Sequence, residues 1–139
     1  MFSSILAFNA KRGSAGFGRE SVVTDEDHAK SLRFSAQRLL KSWRSRSGQA
    51  RLVRYEDLVL SPEKTLAGIF EYVGLASDSA VVQGILQRAS QDASEMRQHR
   101  TALSPAASVG RWKNDLSPAL QAACTGAFGD ILQEFGYEI

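Results

Sequence analysis

A long helix is predicted from Thr24 to about Ser45 by the spacing of its apolar side chains. Hydrophobic residues recur three and four positions apart, which places them on one face of a helix. Thr24 is suited to cap this helix, and the acidic residues Asp25 to Asp27 lie where the helix dipole favours negative charge. The segment therefore predicts an amphipathic helix, whose apolar face carries Ala29, Leu32, Ala36, Leu39, Leu40 and Trp43.

Further segments carry helix signals. The stretch "FSSILAF" near the start predicts a short helix, and residues 61–74, about 77–89 and 117–136 predict longer ones. Two of these open with a Ser-Pro pair, in which the serine caps the helix and the proline takes its first position. Gly74 and Gly136 end the same two helices, because glycine readily adopts the left-handed conformation found there. Helices are therefore expected to make up most of the chain.

The segment "RLVRYEDLVL", residues 51–60, predicts a strand because it is rich in branched and aromatic side chains and too short for another helix. A strand followed by a helix is half of a β-α unit, which normally belongs to a parallel sheet. One strand cannot make a sheet. Either the domain is helical and the strand assignment is wrong, or the chain is the later part of a larger fold. We favour the second interpretation.

Composition narrows the class of protein. The 139 residues suit a single domain, and a net charge of +2 is too balanced to predict extensive nucleic-acid binding. The apolar runs are too short to cross a membrane, and the start lacks a signal-peptide pattern, so a cytoplasmic location is expected. The single cysteine, Cys124, excludes an internal disulfide. Two histidines without suitably spaced carboxylates predict no metal site.

A basic loop precedes the last helix. The stretch "HRTALSPAASVGRWK", residues 99–113, has no helical or strand period and combines cationic side chains, hydroxyls, a glycine and a tryptophan. Backbone N–H groups at a glycine turn, together with cations, can hold a phosphate. The alternative is a basic surface loop pinned by its tryptophan.

These segments resemble the C-terminal half of the sulfotransferase family, which uses 3'-phosphoadenosine 5'-phosphosulfate (PAPS) as sulfuryl donor. The resemblance lies in "RLVRYEDLVLSPEKTLAGIFEYVGL" and in "HRTALSPAASVGRWKNDLSPALQAACTGAFGDILQEFGY". It implies an α/β, P-loop-NTPase-like sulfotransferase fold, of which this chain is the C-terminal portion: a partial domain over residues 1–139, predominantly helical with one parallel strand. It also implies PAPS or its product PAP (adenosine 3',5'-bisphosphate) as ligand, and a small-molecule or carbohydrate acceptor.

By the same resemblance, residues 99–114 form the donor-binding loop. Within it, Ser108 and Gly110 would supply backbone donors, Arg111 a two-pronged contact and Lys113 a point charge. Trp112 would either lie beside the nucleotide or anchor the loop on the core, and we favour the anchor. The remaining donor contacts would be Ser4, with the 3'-phosphate, and Tyr55, with the adenine, although a tyrosine in the core is an equal alternative for Tyr55.

Some parts of an active sulfotransferase have no counterpart in the sequence. The glycine-rich residues 11–20, "KRGSAGFGRE", lack the preceding strand that a phosphate-binding loop requires. No general base can be assigned; His99 is a candidate, with positioning or a phosphate contact as its alternative role. Glu56 and Asp57 are adjacent on the predicted strand and would point to opposite faces, so a shared proton is not expected. His28, in the charged first turns of its helix, is expected to be solvated.

Three functions are consistent with these features. The first is a PAPS-dependent sulfotransferase that acts on a hydroxyl or amine, as a fragment with weak or no activity by itself. The second is a non-catalytic remnant that binds PAP or another nucleotide. The third is a helical interaction module. In each case an uncovered core surface would allow a homodimer.

Overall fold

The computed structural model describes residues 1–46, 48–91 and 99–139. Its α-helices are α1 (Phe2–Arg12), α2 (Asp25–Ser45), α3 (Tyr55–Leu60), α4 (Pro62–Val73), α5 (Ser79–Ser90), α6 (Pro105–Ser108), α7 (Trp112–Asp115) and α8 (Pro118–Glu134), with one 3-10 turn at Arg19–Ser21. The described residues contain no β-strand. The prediction of a predominantly helical chain is therefore confirmed, and the prediction of an α/β class with one parallel strand is wrong for the described residues.

The described chain divides into two compact units. The first unit is Met1–Ala50 together with Gly110–Ile139, and the second unit is Arg51–Val109. The boundary between Val109 and Gly110 falls inside the predicted donor-binding loop. The expectation of a single partial domain over residues 1–139 stays a prediction.

The core of the first unit forms where α2 packs along α8. Ala29 is fully buried, and its small side chain allows close approach at this position. Around it, Phe2 comes from α1 and Leu116 from the segment before α8. The other buried members, all on α8, are Leu120, Ala127 and Phe128. Cys124 is partly buried against the cluster, and burial raises the pKa of its thiol.

Two ion pairs join α2 to α8 at the edge of this core. The guanidinium of Arg33 donates to both carboxylate oxygens of Asp130, each at 2.7 Å, and Arg44 pairs with Glu134. The hydrogen bonds from Arg33 lower the pKa of Asp130 to about 2, because they stabilise the ionised carboxylate. Two helices far apart in sequence are thus aligned by charge as well as by apolar contact.

The second unit consists of short helices packed in sequence order, α3 on α4 and α4 on α5. Val82 on α5 is fully buried. Glu63 at the start of α4 accepts hydrogen bonds from Ser79 at 3.0 Å and from Gln83 at 3.4 Å, which join α4 to α5. Several large apolar side chains of this unit are exposed to solvent: Leu52, Leu60, Tyr72, Val73 and Leu75.

Most helix ends follow the predicted signals. Helix α8 ends at Glu134 with Phe135 at the cap position, one residue before the predicted Gly136, and two helix starts also differ. Thr24 Oγ1 accepts the amide proton of Asp27 at 3.1 Å, and Ser117 Oγ accepts that of Leu120 at 3.3 Å. Ser61 occupies the cap position of α4, but its side chain makes no capping hydrogen bond, so the predicted serine cap is wrong there. Helix α5 begins later than predicted, because the carboxylate of Asp78 caps it.

Residues 51–60 show why the predicted strand does not form. Residues 51–54 form no regular element, with Arg54 extended, and Tyr55–Leu60 is the helix α3. The side chains of Glu56 and Asp57 lie in its first turn, where the helix dipole favours carboxylates. A strand also needs a neighbour to satisfy its backbone groups, and the described residues offer none. The local helix satisfies them internally, through bonds such as Leu58 N–H to the Arg54 carbonyl at 3.1 Å.

The glycine-rich residues 11–20 are attached to the flanking helices by hydrogen bonds. The side-chain amide of Asn9 on α1 exchanges two with the backbone of Gly16, at 3.0 and 3.2 Å. Arg19 donates to Asp25 at 2.7 Å and to the carbonyl of Val22 at 2.7 Å. The element before this segment is a helix, so the strand that a phosphate-binding loop requires is absent here, as the sequence predicts.

His28 also contacts the glycine-rich residues 11–20. It is fully buried, which makes the prediction of a solvated side chain wrong. Its Nε2 lies 2.9 Å from the carbonyl oxygen of Phe17, and its ring meets Phe2 edge to face at a centroid distance of 5.4 Å. Phe17 has a positive φ of 58°, which is costly for a residue with a side chain. The contact with His28 helps to hold the chain in that conformation.

Candidate donor-binding loop

The second unit holds the first part of the predicted loop. After residues 92–98, which lie outside the described chain, His99 is exposed. Ser104 caps the single turn of α6 by accepting the amide proton of Ala107 at 3.2 Å, and Pro105 takes the first helical position. The loop was predicted to be irregular, so this turn corrects the prediction. A Ser-Pro pair opens α6, as Ser61–Pro62 opens α4 and Ser117–Pro118 opens α8.

The structure brings together Tyr55 and Ser108, which were predicted separately as donor contacts. The hydroxyl of Tyr55 lies 2.6 Å from Ser108 Oγ, across 53 residues of sequence. Ser108 is the last residue of α6, and Tyr55 is the first residue of α3. Tyr55 is 52% exposed, which argues against a core tyrosine. Its predicted place at the end of a parallel strand is lost with that strand, but it stays accessible to a ligand.

The first unit holds the second part of the loop, Gly110 to Lys113. Gly110 has a positive φ of 71°, a conformation that glycine adopts at no steric cost. The chain then enters α7, where the amide of Lys113 donates to the Gly110 carbonyl at 3.1 Å and that of Asn114 to the Arg111 carbonyl at 2.9 Å. The glycine therefore sets the turn that leads into a second short helix.

Arg111 has an internal partner that the sequence analysis missed. Its Nε donates to Asp115 at 2.5 Å, and the two side chains are 17% and 32% exposed. The spacing of four residues on a helical turn is a known signal for such a pair and could have revealed it. A phosphate would therefore compete with Asp115 for the guanidinium of Arg111.

Trp112 and Lys113 lie at the surface of the first unit. Trp112 is 43% exposed, more than expected for a core anchor, and both of its predicted uses stay predictions. The ammonium of Lys113 lies 5.7 Å from the centre of the Trp112 ring, within the range of a cation–π contact. An exposed cation beside an exposed aromatic face is an arrangement that suits an anionic nucleotide.

Ser4 lies in the first turn of α1, the short helix that "FSSILAF" predicts. It is partly buried in α1, and its amide donates to the carbonyl of Met1 at 3.0 Å. Ser4 belongs to the first unit, as do Gly110 to Lys113, whereas Tyr55 and Ser108 belong to the second. The roles of all these residues in donor binding stay predictions.

The described part of the chain contains neither a candidate metal site nor a candidate membrane span. No group of histidine, cysteine and carboxylate side chains is arranged to hold a metal ion among residues 1–46, 48–91 and 99–139. Among the same residues, no helix combines the length and the apolar character that a bilayer crossing requires. The predicted cytoplasmic location is untested by either finding.

Comparison with known proteins confirms the resemblance to the sulfotransferase family. The chain is 31% identical over 93 residues to carbohydrate sulfotransferase 1 of Mus musculus. It is 32% identical over 94 residues to the proteins of the same name from Rattus norvegicus and Homo sapiens. In each case the similarity covers 66% of this chain.

The match has a limited extent. It spans 23% of the length of each of these relatives. No family model matches the chain, and no solved structure is significantly similar to it. The relationship to sulfotransferases therefore rests on sequence, whereas the reaction, the substrates and the partners of the whole protein are matters for proposal.

Proposed function

We propose that this chain contributes the 3'-phosphate side of the donor site in a PAPS-dependent sulfotransferase that acts on a carbohydrate. The observation that carries the proposal is its similarity to carbohydrate sulfotransferases over two thirds of its length. The stretch "SVGRWK" provides the chemistry expected there: a glycine turn, an exposed lysine and an arginine. Together these groups can attract a phosphate by charge and by directed hydrogen bonds.

The proposed reaction moves a sulfuryl group without a metal ion. An acceptor hydroxyl of the carbohydrate attacks the sulfur of PAPS and forms a new S–O bond. The S–O bond to the 5'-phosphate breaks in the same displacement, PAP departs, and the hydroxyl proton passes to a base. The residues of this chain would hold the leaving nucleotide, so their contribution is to position it and to stabilise its charge.

A second candidate is binding of PAP without transfer. One observation on the chain favours it. Within the glycine-rich residues 11–20, Gly16 is bonded to Asn9 of α1, and Arg19 is bonded to Asp25 and to the Val22 carbonyl, so these two residues already have partners inside the protein. A chain that binds PAP but transfers no sulfuryl group would be this second candidate. A helical interaction module would bind no nucleotide.

Calorimetric titration of the purified chain with PAP tests the proposal, with 5'-AMP as the ligand control. Lys113→Gln removes an exposed positive charge from the loop, and Lys41→Gln removes one from the exposed surface of α2 as the matched control. We expect PAP to bind more tightly than 5'-AMP and Lys113→Gln to weaken PAP by roughly tenfold, the loss of one charged contact. Lys41→Gln should leave PAP affinity unchanged.

The outcomes separate the candidates. Equal affinity for PAP and 5'-AMP, or no binding by a folded chain, would contradict a 3'-phosphate site. If PAP binds, a transfer assay with labelled PAPS and a carbohydrate acceptor distinguishes the sulfotransferase from the non-catalytic protein. A cytoplasmic location and self-association through exposed apolar side chains stay predictions. Sedimentation velocity of the same sample tests the second of these.

A further inference from the structure

The hydrogen bond between Tyr55 and Ser108 has a direction that can be assigned. Ser108 Oγ is 2.6 Å from the Tyr55 hydroxyl and is also bonded to the carbonyl of Pro105. A carbonyl oxygen only accepts, so the single hydroxyl proton of Ser108 goes to Pro105. Tyr55 must then donate its own proton to Ser108 Oγ. The result is an ordered chain of hydrogen bonds from Tyr55 through Ser108 to the backbone of α6.

The helix that receives this bond is too short to be stable by itself. Helix α6 has four residues, Pro105–Ser108, and isolated helices of that length do not persist in water. Two side-chain hydrogen bonds stabilise the turn: Ser104 Oγ accepts the amide proton of Ala107 at its start, and Ser108 Oγ donates to the Pro105 carbonyl at its end. The bond from Tyr55 attaches the end of this turn to α3. Helices α3 and α6 belong to the same unit and are in contact.

We propose that Tyr55 is a positioning residue for the donor-binding loop, which acts by holding Ser108 and not by contacting the adenine. The inference rests on the proposed function, because Ser108 is assigned to the donor site through the sulfotransferase relationship. The Tyr55 hydroxyl donates its only proton to Ser108, which leaves it no proton for the nucleotide. We therefore expect removal of that hydroxyl to act on PAP through Ser108.

A double-mutant cycle tests this assignment. PAP and 5'-AMP are titrated into the wild-type chain and into Tyr55→Phe, Ser108→Ala and the double variant. Tyr72→Phe is the matched control, since Tyr72 lies exposed on α4. We expect Tyr55→Phe to weaken PAP about two- to tenfold, the value of one hydrogen bond, with a smaller effect on 5'-AMP. The double variant should bind PAP no more weakly than Ser108→Ala does.

The alternative predicts a different pattern. If Tyr55 contacted the nucleotide directly, its effect and that of Ser108 would multiply in the double variant, and 5'-AMP would be weakened as much as PAP. Either result overturns the positioning role, as does a Tyr55→Phe variant with wild-type affinity for PAP. A merely structural role for Tyr55 would weaken both ligands equally and would leave the ratio of their affinities unchanged.

A measurement without ligand separates the tether from the proposed function. The amide of Val109 donates to the Ala106 carbonyl at 3.1 Å, so its hydrogen exchange reports on the end of α6. We expect exchange at Val109 to be about two- to tenfold faster in Tyr55→Phe and unchanged in Tyr72→Phe. Faster exchange without PAP binding would support the tether and refute the proposed function. Unchanged exchange in Tyr55→Phe refutes the tether itself.

Discussion

Neutralising Asp115 should strengthen the binding of PAP, because this carboxylate holds the guanidinium that we expect to meet the 3'-phosphate. Arg111 Nε lies 2.5 Å from the Asp115 carboxylate, four residues along the chain, and both side chains are partly exposed. A pair of this kind contributes about 0.3–1 kcal/mol. A phosphate that binds Arg111 must first break this pair, which reduces the free energy of PAP binding by the same amount. Asp115→Asn should therefore raise PAP affinity about two- to fivefold.

The assay is a calorimetric titration at constant ionic strength, because salt screens exposed charges. Glu20→Gln is the control, since it also removes one negative charge from the surface of the first unit. The gain from Asp115→Asn should disappear in an Arg111→Ala background, where there is no guanidinium to release. Unchanged or weaker binding of PAP by Asp115→Asn would refute the reasoning. So would a gain that persists without Arg111, because it would then reflect general charge.

Three predictions concern the first unit and are read from urea unfolding. Phe128→Ala should lower the free energy of unfolding by about 3–5 kcal/mol, since it leaves a cavity in the core beside α2. Leu132→Ala, on the exposed side of α8, should lower the same free energy much less. Gly126→Ala should raise the free energy of unfolding by roughly 0.5–1 kcal/mol, because a methyl group there meets no atom within 4 Å and alanine favours the helix. A lower free energy of unfolding would contradict the conclusion that the methyl group has room there. The pKa of Asp130 is lowered to about 2 in the folded chain, so the ionised carboxylate stabilises the fold above pH 4, and this stabilisation is lost as pH falls towards 2. Asp130→Asn should make the free energy of unfolding less dependent on pH in that range.

The long helices could be predicted from the sequence because their signals are local. The apolar period of α2, its Thr24 cap and its acidic first turn all lie within a few residues of one another. The same holds for α8, with its Ser-Pro start. Residues 51–60 mislead because branched and aromatic side chains favour strands only where a neighbouring strand exists. That condition depends on the rest of the fold and cannot be judged from ten residues.

The site was less predictable because its contacts span long sequence distances. The motif "SVGRWK" was visible in the sequence, and the resemblance of the chain to sulfotransferases is confirmed by its similarity to a curated relative over 93 residues. The bond between Tyr55 and Ser108 joins residues 53 positions apart, and no local pattern announces it. His28 was misjudged for a similar reason: its neighbours in sequence are charged, but the carbonyl of Phe17 and the ring of Phe2 cover it.

The partly buried Cys124 gives the first unit a built-in reporter of its own opening. Alkylating reagents react with the thiolate, which is scarce at neutral pH when burial raises the pKa of the thiol. Modification in native buffer should therefore be slow and should proceed mainly through molecules whose core has transiently opened. Because the sequence has one cysteine, the labelling rate reads the local stability of α8 without any engineered probe. The same rate, measured with and without PAP, would show whether a bound nucleotide makes opening of this core less frequent.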